Sequence, residues 1–117
     1  MARAARVDRG TVTAEIAVGL PSLILVLVVT LGAVQAVATQ VACVDAARLA
    51  ARALARGDPV EAAEGVALAS APADAEIITD IDASHARVVV RAPVDVVVGR
   101  TPLTVHGEAA TPLEEPP

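Results

Sequence analysis

Residues 16–44 read IAVGLPSLILVLVVTLGAVQAVATQVACV, without one charged side chain. A helix rises ~1.5 Å per residue and a bilayer's hydrocarbon core is ~30 Å thick, so about 20 apolar residues cross it. This stretch exceeds that length, and its heart, Leu23 to Leu31, is almost pure Leu, Val and Ile. The alternative, a buried helix of a soluble core, fails because no other segment could cover it. Pro21 lies near the start of the run, where it removes one backbone donor and kinks the first turns rather than ending the span. The second half is Ala-rich, with Gln35, Thr39 and Gln40. It is expected to emerge from lipid or to pack on a neighbour.

Beyond the run, residues 45–56 (DAARLAARALAR) are strong helix formers with no breaker before them, so one helix is expected over about 13–56. Arg48, Arg52 and Arg56 recur every four residues. They read as a solvated face, or as a basic stripe toward acidic headgroups or a neighbouring subunit. Ala38, Ala42, Ala46 and Ala50 share that spacing, which lets two helices approach closely. Gly57-Asp58-Pro59 stops the helix: the glycine caps it, and Asp58 is expected to cap a second helix with Pro59 at its first position. Residues 59–70 read as that short helix, and Ala71-Pro72 ends it.

The period then changes. Residues 76–82 (EIITDID), 86–98 (ARVVVRAPVDVVV) and 101–108 (TPLTVHGE) carry strand signals, with a turn at Ala83-Ser84-His85. Pro93 is expected to bulge or split its strand. The expected architecture is α+β and membrane-anchored. A long N-terminal transmembrane helix continues outside the membrane, then comes a short second helix, then a small three-stranded antiparallel β-meander packed on helix residues around 45–68. By segments, 1–10 is a basic leader without regular structure, 11–56 the long helix, 57–72 the short helix and linker, 73–110 the meander, and 111–117 a loose tail rich in Pro and Glu.

At 117 residues the chain holds one domain at most. It is 55% apolar, has no aromatic residue and carries a net charge of −5. A soluble enzyme of this size usually lines its pocket with rings and convergent polar groups. Clustered basic residues for phosphate are absent outside the leader and the helix stripe, so nucleic acid is not an expected partner. Cys43 is the lone cysteine and cannot form an internal disulfide. It reads as a small packed hydrophobe, with lipidation or an intermolecular disulfide as lesser alternatives. His85 and His106 read as solvated side chains rather than metal ligands. Ser22, Ser70 and Ser84 have no triad spacing, and no phosphate loop or calcium loop is present. No catalytic residue, cofactor or metal is expected.

The informative constellation lies just before the apolar run: Arg9-Gly10-Thr11-Val12-Thr13-Ala14-Glu15. A leader with Arg3, Arg6 and Arg9 precedes Gly10 and stays cytoplasmic under the positive-inside rule. The count of arginines flanking the run ties, with Arg48, Arg52 and Arg56 on the far side. The free N-terminal amine and the motif favour an inside N-terminus and an outer C-terminal domain. Gly10 has no side chain, so its peptide can enter a protease site in extended form. Glu15 stands at the head of an apolar helix, where a carboxylate is costly without a partner. Cleavage after Gly10 would create a free amine at Thr11. In a bundle of identical helices, that amine could pair with Glu15 of a neighbour and set the register. Two alternatives remain at this level. One is an unprocessed single-pass accessory protein of a secretion complex. The other is a secreted binding module released after Ala38, where Ala36-Val37-Ala38 fits a signal-peptidase pattern.

These residues resemble the TadE family of pseudopilins, minor pilins of tight-adherence (Tad/Flp-type) type IV pilus systems, in an actinobacterial form. The likeness runs from Asp8 to Glu15, through the Val/Leu span to Cys43-Val44-Asp45-Ala46-Ala47-Arg48, then Ala51-Arg52-Ala53, and ends with Ala109-Ala110-Thr111-Pro112-Leu113-Glu114. The N-terminal motif is its specific part. It implies Gly10 before the cut, Thr11 as the new N-terminus, and Glu15 as the carboxylate for processing or assembly. The implied partners are the lipid bilayer, other pilin subunits, a membrane aspartyl prepilin peptidase and the assembly platform. The implied location is the cell membrane or an extracellular pilus used in cell adhesion. Two positions depart from the pattern: Ile16, where many relatives have an aromatic residue, and Thr11, which is not apolar.

Overall fold

The computed structural model describes residues 2–95 and 102–114. Its elements are α1 (Ala2–Ala55), α2 (Val60–Ser70), β1 (Glu76–Ile81), β2 (His85–Asp95) and β3 (Pro102–Pro112). A long apolar helix, a short second helix and a three-stranded antiparallel sheet of order β1-β2-β3 make up the expected α+β arrangement. The molecule measures 93 × 21 × 19 Å. Most of that length is α1, on the order of 80 Å at ~1.5 Å per residue.

α1 starts at Ala2, not near residue 13, so the leader is helical rather than structureless. Its alanines and arginines are strong helix formers. Against them stands only Gly10, about 1 kcal/mol less favourable than Ala in a helix. The helix also continues through Pro21.

The stop at Gly57 has a definite geometry. Gly57 takes φ +88°, its N–H donates to the Leu54 carbonyl (3.0 Å), and the Asp58 N–H donates to the Ala53 carbonyl (3.1 Å). This is a Schellman closure, which favours glycine at the left-handed position. Asp58 does not cap α2. Its carboxylate pairs with Arg56 at 3.1 Å instead, and Pro59 occupies the N-cap without a side-chain bond. The closure leads the Asp58 carboxylate back toward the helix it has just left.

The reversal sends α2 back along α1. Ala63 and Ala67, four residues apart on one face, are buried in the core, and Ser70, Ala71 and Pro72 end beside Gln35, Ala38, Thr39 and Ala42. A hydrogen bond from the Thr79 hydroxyl to Glu64 (3.3 Å) ties β1 to α2.

β2 alternates strictly. Ala86, Val88, Val90, Ala92 and Val94 are buried against α1, while Arg87, Arg91, Pro93 and Asp95 face solvent. Pro93 neither bulges nor splits the strand, and its register opposite Thr104 is unbroken. β1 ends opposite Arg91, so at Pro93 the strand has a neighbour on one side only, and there a missing donor is tolerated. β3 is longer than expected and absorbs Thr111 and Pro112 from the predicted tail. The Leu113 N–H donates to the Ser84 carbonyl (2.9 Å). The expected strand residues 96–98 and 101 and the tail residues 115–117 lie outside the described residues.

The core is built from Cys43, Ala46, Ala47, Ala50, Ala51, Ala53 and Leu54 of α1, with Ala63, Ala67 and the inward residues of β2. Its largest fully buried side chains are Val88, Val90 and Cys43. Such small side chains fill a core only if the backbones come close. Gly107 of β3 provides that approach. A Cβ built there would lie 2.5 Å from the Cys43 carbonyl carbon and from the Val44 Cα, and closer still to the Val44 nitrogen. The obstacle is helix backbone, which cannot rotate away. Gly107→Ala is therefore expected to destabilise the domain by about 1–3 kcal/mol, as overpacked sites do, and Gly107→Val by more. Thermal unfolding followed by circular dichroism checks this; an unchanged midpoint for Gly107→Val would refute the close approach.

The β1–β2 turn is organised by Asp82. Its Oδ1 accepts from the Ser84 N–H (2.8 Å), the His85 N–H (2.7 Å) and the Ser84 hydroxyl (3.2 Å), and its own N–H donates to the His85 carbonyl (3.0 Å). The Ser84 N–H first, then the His85 N–H, hold the Asp82 carboxyl below its ordinary value of 3.8. A carboxyl depressed in the folded state stabilises fully above the unfolded value, and that contribution is lost as pH falls through the folded value. The turn is thus expected to loosen below about pH 3.8. The protection of the Ser84 and His85 amides, relative to their intrinsic exchange rates, should fall there in the parent chain, whereas Asp82→Ala should show low protection at neutral pH as well.

Candidate functional site

The head of α1 carries the sequence-predicted cleavage and assembly residues. Gly10, Thr11 and Glu15 all lie on the helix and are exposed. The Thr11 hydroxyl donates to the Val7 carbonyl (2.9 Å) and the Thr13 hydroxyl to the Arg9 carbonyl (2.9 Å), so two side-chain bonds span the Gly10–Thr11 peptide. A Cβ at Gly10 would meet nothing within 4 Å. The fold itself makes no demand for glycine there. In helical form the Gly10–Thr11 peptide is not extended, so a protease would have to unwind one turn, which glycine makes easier.

The ion pairs among the described residues are Arg56–Asp58 and Arg87–Glu108, both 3.1 Å and exposed, and neither involves Glu15. From Glu15 onward the outer surface of α1 is greasy: Ile16, Leu20, Leu23, Leu27, Leu31 and Val34 are each more than half exposed. α1 is long and apolar enough to cross a membrane, and among the described residues nothing buries its most apolar window. This is one candidate span near the N-terminus.

The four alanines expected to pack against a neighbouring helix part company. Ala46 and Ala50 are buried at 0% and 1% exposure under the chain's own sheet and α2, so they are not open to another subunit. Ala42 is half-buried and Ala38 exposed. The spacing does mark close packing, but the partner of its upper half is intramolecular. Arg48, Arg52 and Arg56 are exposed on the opposite side of α1.

Cys43 is fully buried, facing the strand that carries Gly107, which closes it to an intermolecular disulfide in the folded chain. His85 sits in the β1–β2 turn, with Nδ1 2.8 Å from the Ser84 hydroxyl, and His106 is exposed on β3 opposite Arg91. Among the described residues, no three His, Cys, Asp or Glu side chains are grouped to hold a metal. Gly107 is the residue whose role sequence reasoning missed. Its signal was a glycine inside a strand, which marks a close backbone approach.

No family model matches the chain, and no solved structure matches it. The chain is similar to a curated protein of Mycobacterium tuberculosis (strain ATCC 25618 / H37Rv) named "Apoptosis inhibitor Rv3655c", with 53% identity over 58 residues. The match covers 50% of this chain and 46% of that protein, so the chain spans about half the length of the relative it resembles.

Proposed function

We propose that this chain is a pseudopilin, a minor-pilin subunit of a tight-adherence type IV pilus system. A membrane aspartyl prepilin peptidase cuts it after Gly10, and it assembles through α1. One observation carries the reading. An exposed Glu15 with no ion-pair partner among the described residues stands at the head of a bare apolar helix, five positions after Gly10 and behind a basic leader. A carboxylate at a membrane boundary needs a counter-charge, and a new amine at Thr11 of a neighbouring subunit supplies one. Loss of the leader also frees Thr11 and Thr13 from their carbonyl partners Val7 and Arg9. Because the upper half of the alanine stripe is buried within the chain, subunit packing falls to α1 below Ala42.

A second reading keeps the chain unprocessed, as a single-pass membrane accessory of a secretion complex. The unbroken course of α1 through Gly10 to Ala2 favours it.

Mass spectrometry of protein recovered from cells decides between them. The first reading expects a polypeptide beginning at Thr11; a start at Met1 or Ala2 supports the second, and a start at Thr39 refutes both. Glu15→Ala is expected to leave the protein in the membrane at normal abundance while reducing its recovery in sheared surface filaments at least tenfold. Filament incorporation equal to the parent would refute the pairing role of Glu15.

A further inference from the structure

The outer face of α2 and the free flank of α1 match each other in height. α2 runs back down α1 and ends with Ser70 beside Ala38 and Thr39. Glu61 stands nine residues above Ser70 and Arg48 nine above Thr39, ~14 Å in each case at the helical rise, so the two are level to within about a turn. Arg52, one turn higher, widens the match. Leu68 and Val41 stand two residues above the same two points, ~3 Å. On α2, Glu61, Gly65 and Leu68 follow at steps of four and three residues and form one exposed face, turned away from the buried Ala63 and Ala67. On α1, Val41, Arg48 and Arg52 are exposed on a flank that neither the sheet nor α2 buries. Leu68 is 58% and Val41 55% exposed. Each face therefore carries charge in its upper part and an apolar side chain below, and the charges are opposite in sign.

Gly65 is the second observation. It lies inside α2 without a positive φ, and a Cβ built there would meet nothing within 4 Å. Glycine costs a helix about 1 kcal/mol relative to alanine, and the described fold gains nothing from it at this position. It stands at the centre of the outer face, where a missing side chain lets another backbone approach. Asp45, on the same flank of α1 as the arginines, comes within one residue of the height of Gly65, where α2 offers no side chain against it. Glu64 is turned away toward Thr79, and the two ion pairs among the described residues leave Arg48, Arg52 and Glu61 unused.

We propose that the outer face of α2 docks on the arginine flank of α1 in a second copy of this chain, Glu61 meeting Arg48 or Arg52 and Leu68 meeting Val41. A second copy fits because a shared bilayer gives both chains one direction and one height, the arrangement in which charge falls opposite charge and apolar opposite apolar. The bilayer has also removed much of the freedom that association otherwise costs. Each copy uses two different faces, so the contact is heterologous and repeats from copy to copy. This inference rests on α1 spanning a membrane and not on leader cleavage or Glu15 pairing.

Single-cysteine variants of the full chain, leader included, test it in phosphatidylcholine–phosphatidylglycerol vesicles, with Cys43 left in its buried place. Leu68→Cys and Val41→Cys are reconstituted separately and as an equal mixture, oxidised briefly, and scored for disulfide dimer. Leu68→Cys mixed with Ser84→Cys, in the β1–β2 turn, gives the random-collision baseline. Each variant must retain the parent's circular dichroism. The proposal expects the 68–41 mixture to yield at least fivefold more dimer than either variant alone or than the baseline. Gly65→Leu on the Leu68→Cys copy is expected to return the yield to baseline. Glu61→Arg on that copy is expected to lower it at least threefold, and Arg48→Glu with Arg52→Glu on the facing copy to restore it. A 68–41 yield equal to the baseline would overturn the contact, as would a yield unmoved by Gly65→Leu. Loss without restoration in the charge exchange would overturn the pairing of Glu61 with the arginines.

Discussion

Helix backbone against strand backbone, Cys43 and Val44 of α1 under Gly107 of β3, is the constraint on which the rest of the domain depends. The chain has no aromatic ring, and its buried side chains are mostly Ala and Val. Apolar burial is worth roughly 25 cal/mol per Å² removed from water, so small side chains contribute little each and must be packed without gaps. Gly107 closes the distance at one end of the interface, and the Ala46–Ala50 step on α1 gives β2 a flat surface beyond it. Ala63 and Ala67 repeat the arrangement between α2 and α1.

That constraint explains how the two ends of α1 come to differ. The upper part, from Thr39 to Leu54, is buried along one face by the sheet and α2. Among the described residues nothing buries the lower part, and its exposed Leu, Ile and Val side chains need lipid or other helices. Glu15 stands where that uncovered length begins. Gly10 and Glu15 lie some 24 residues or more down α1 from the buried Thr39, on the order of 36 Å at the helical rise, so changes there leave the sheet untouched.

Much of the fold was legible. The uncharged run, the glycine stop at Gly57 and the alternation of 86–94 each reflect a local rule, and each appears as an element of the structure. What was not legible depended on partners distant in sequence. Pro93 looked like a strand breaker, yet β1 stops two residues short of it and leaves that side open. The alanine stripe spelled close packing but not with whom, because a four-residue spacing carries no address. Thr111 and Pro112 looked loose because their composition is polar and Pro-rich, whereas pairing with His85 and Ala86 holds them in β3. At the candidate site Gly10, Thr11 and Glu15 lie exposed on α1. The helical leader did not follow from reading it as a mere tag.

The unbroken passage of α1 from its apolar length into the seat of the sheet has a mechanical meaning. No linker stands between the two, so a pull or a twist on the lower helix reaches the sheet directly rather than being taken up by an uncoiling tether. Such a load acts as shear across the contact of Gly107 with Val44. The strength of the molecule under tension is then set by how tightly two backbones interlock rather than by the length of any flexible segment.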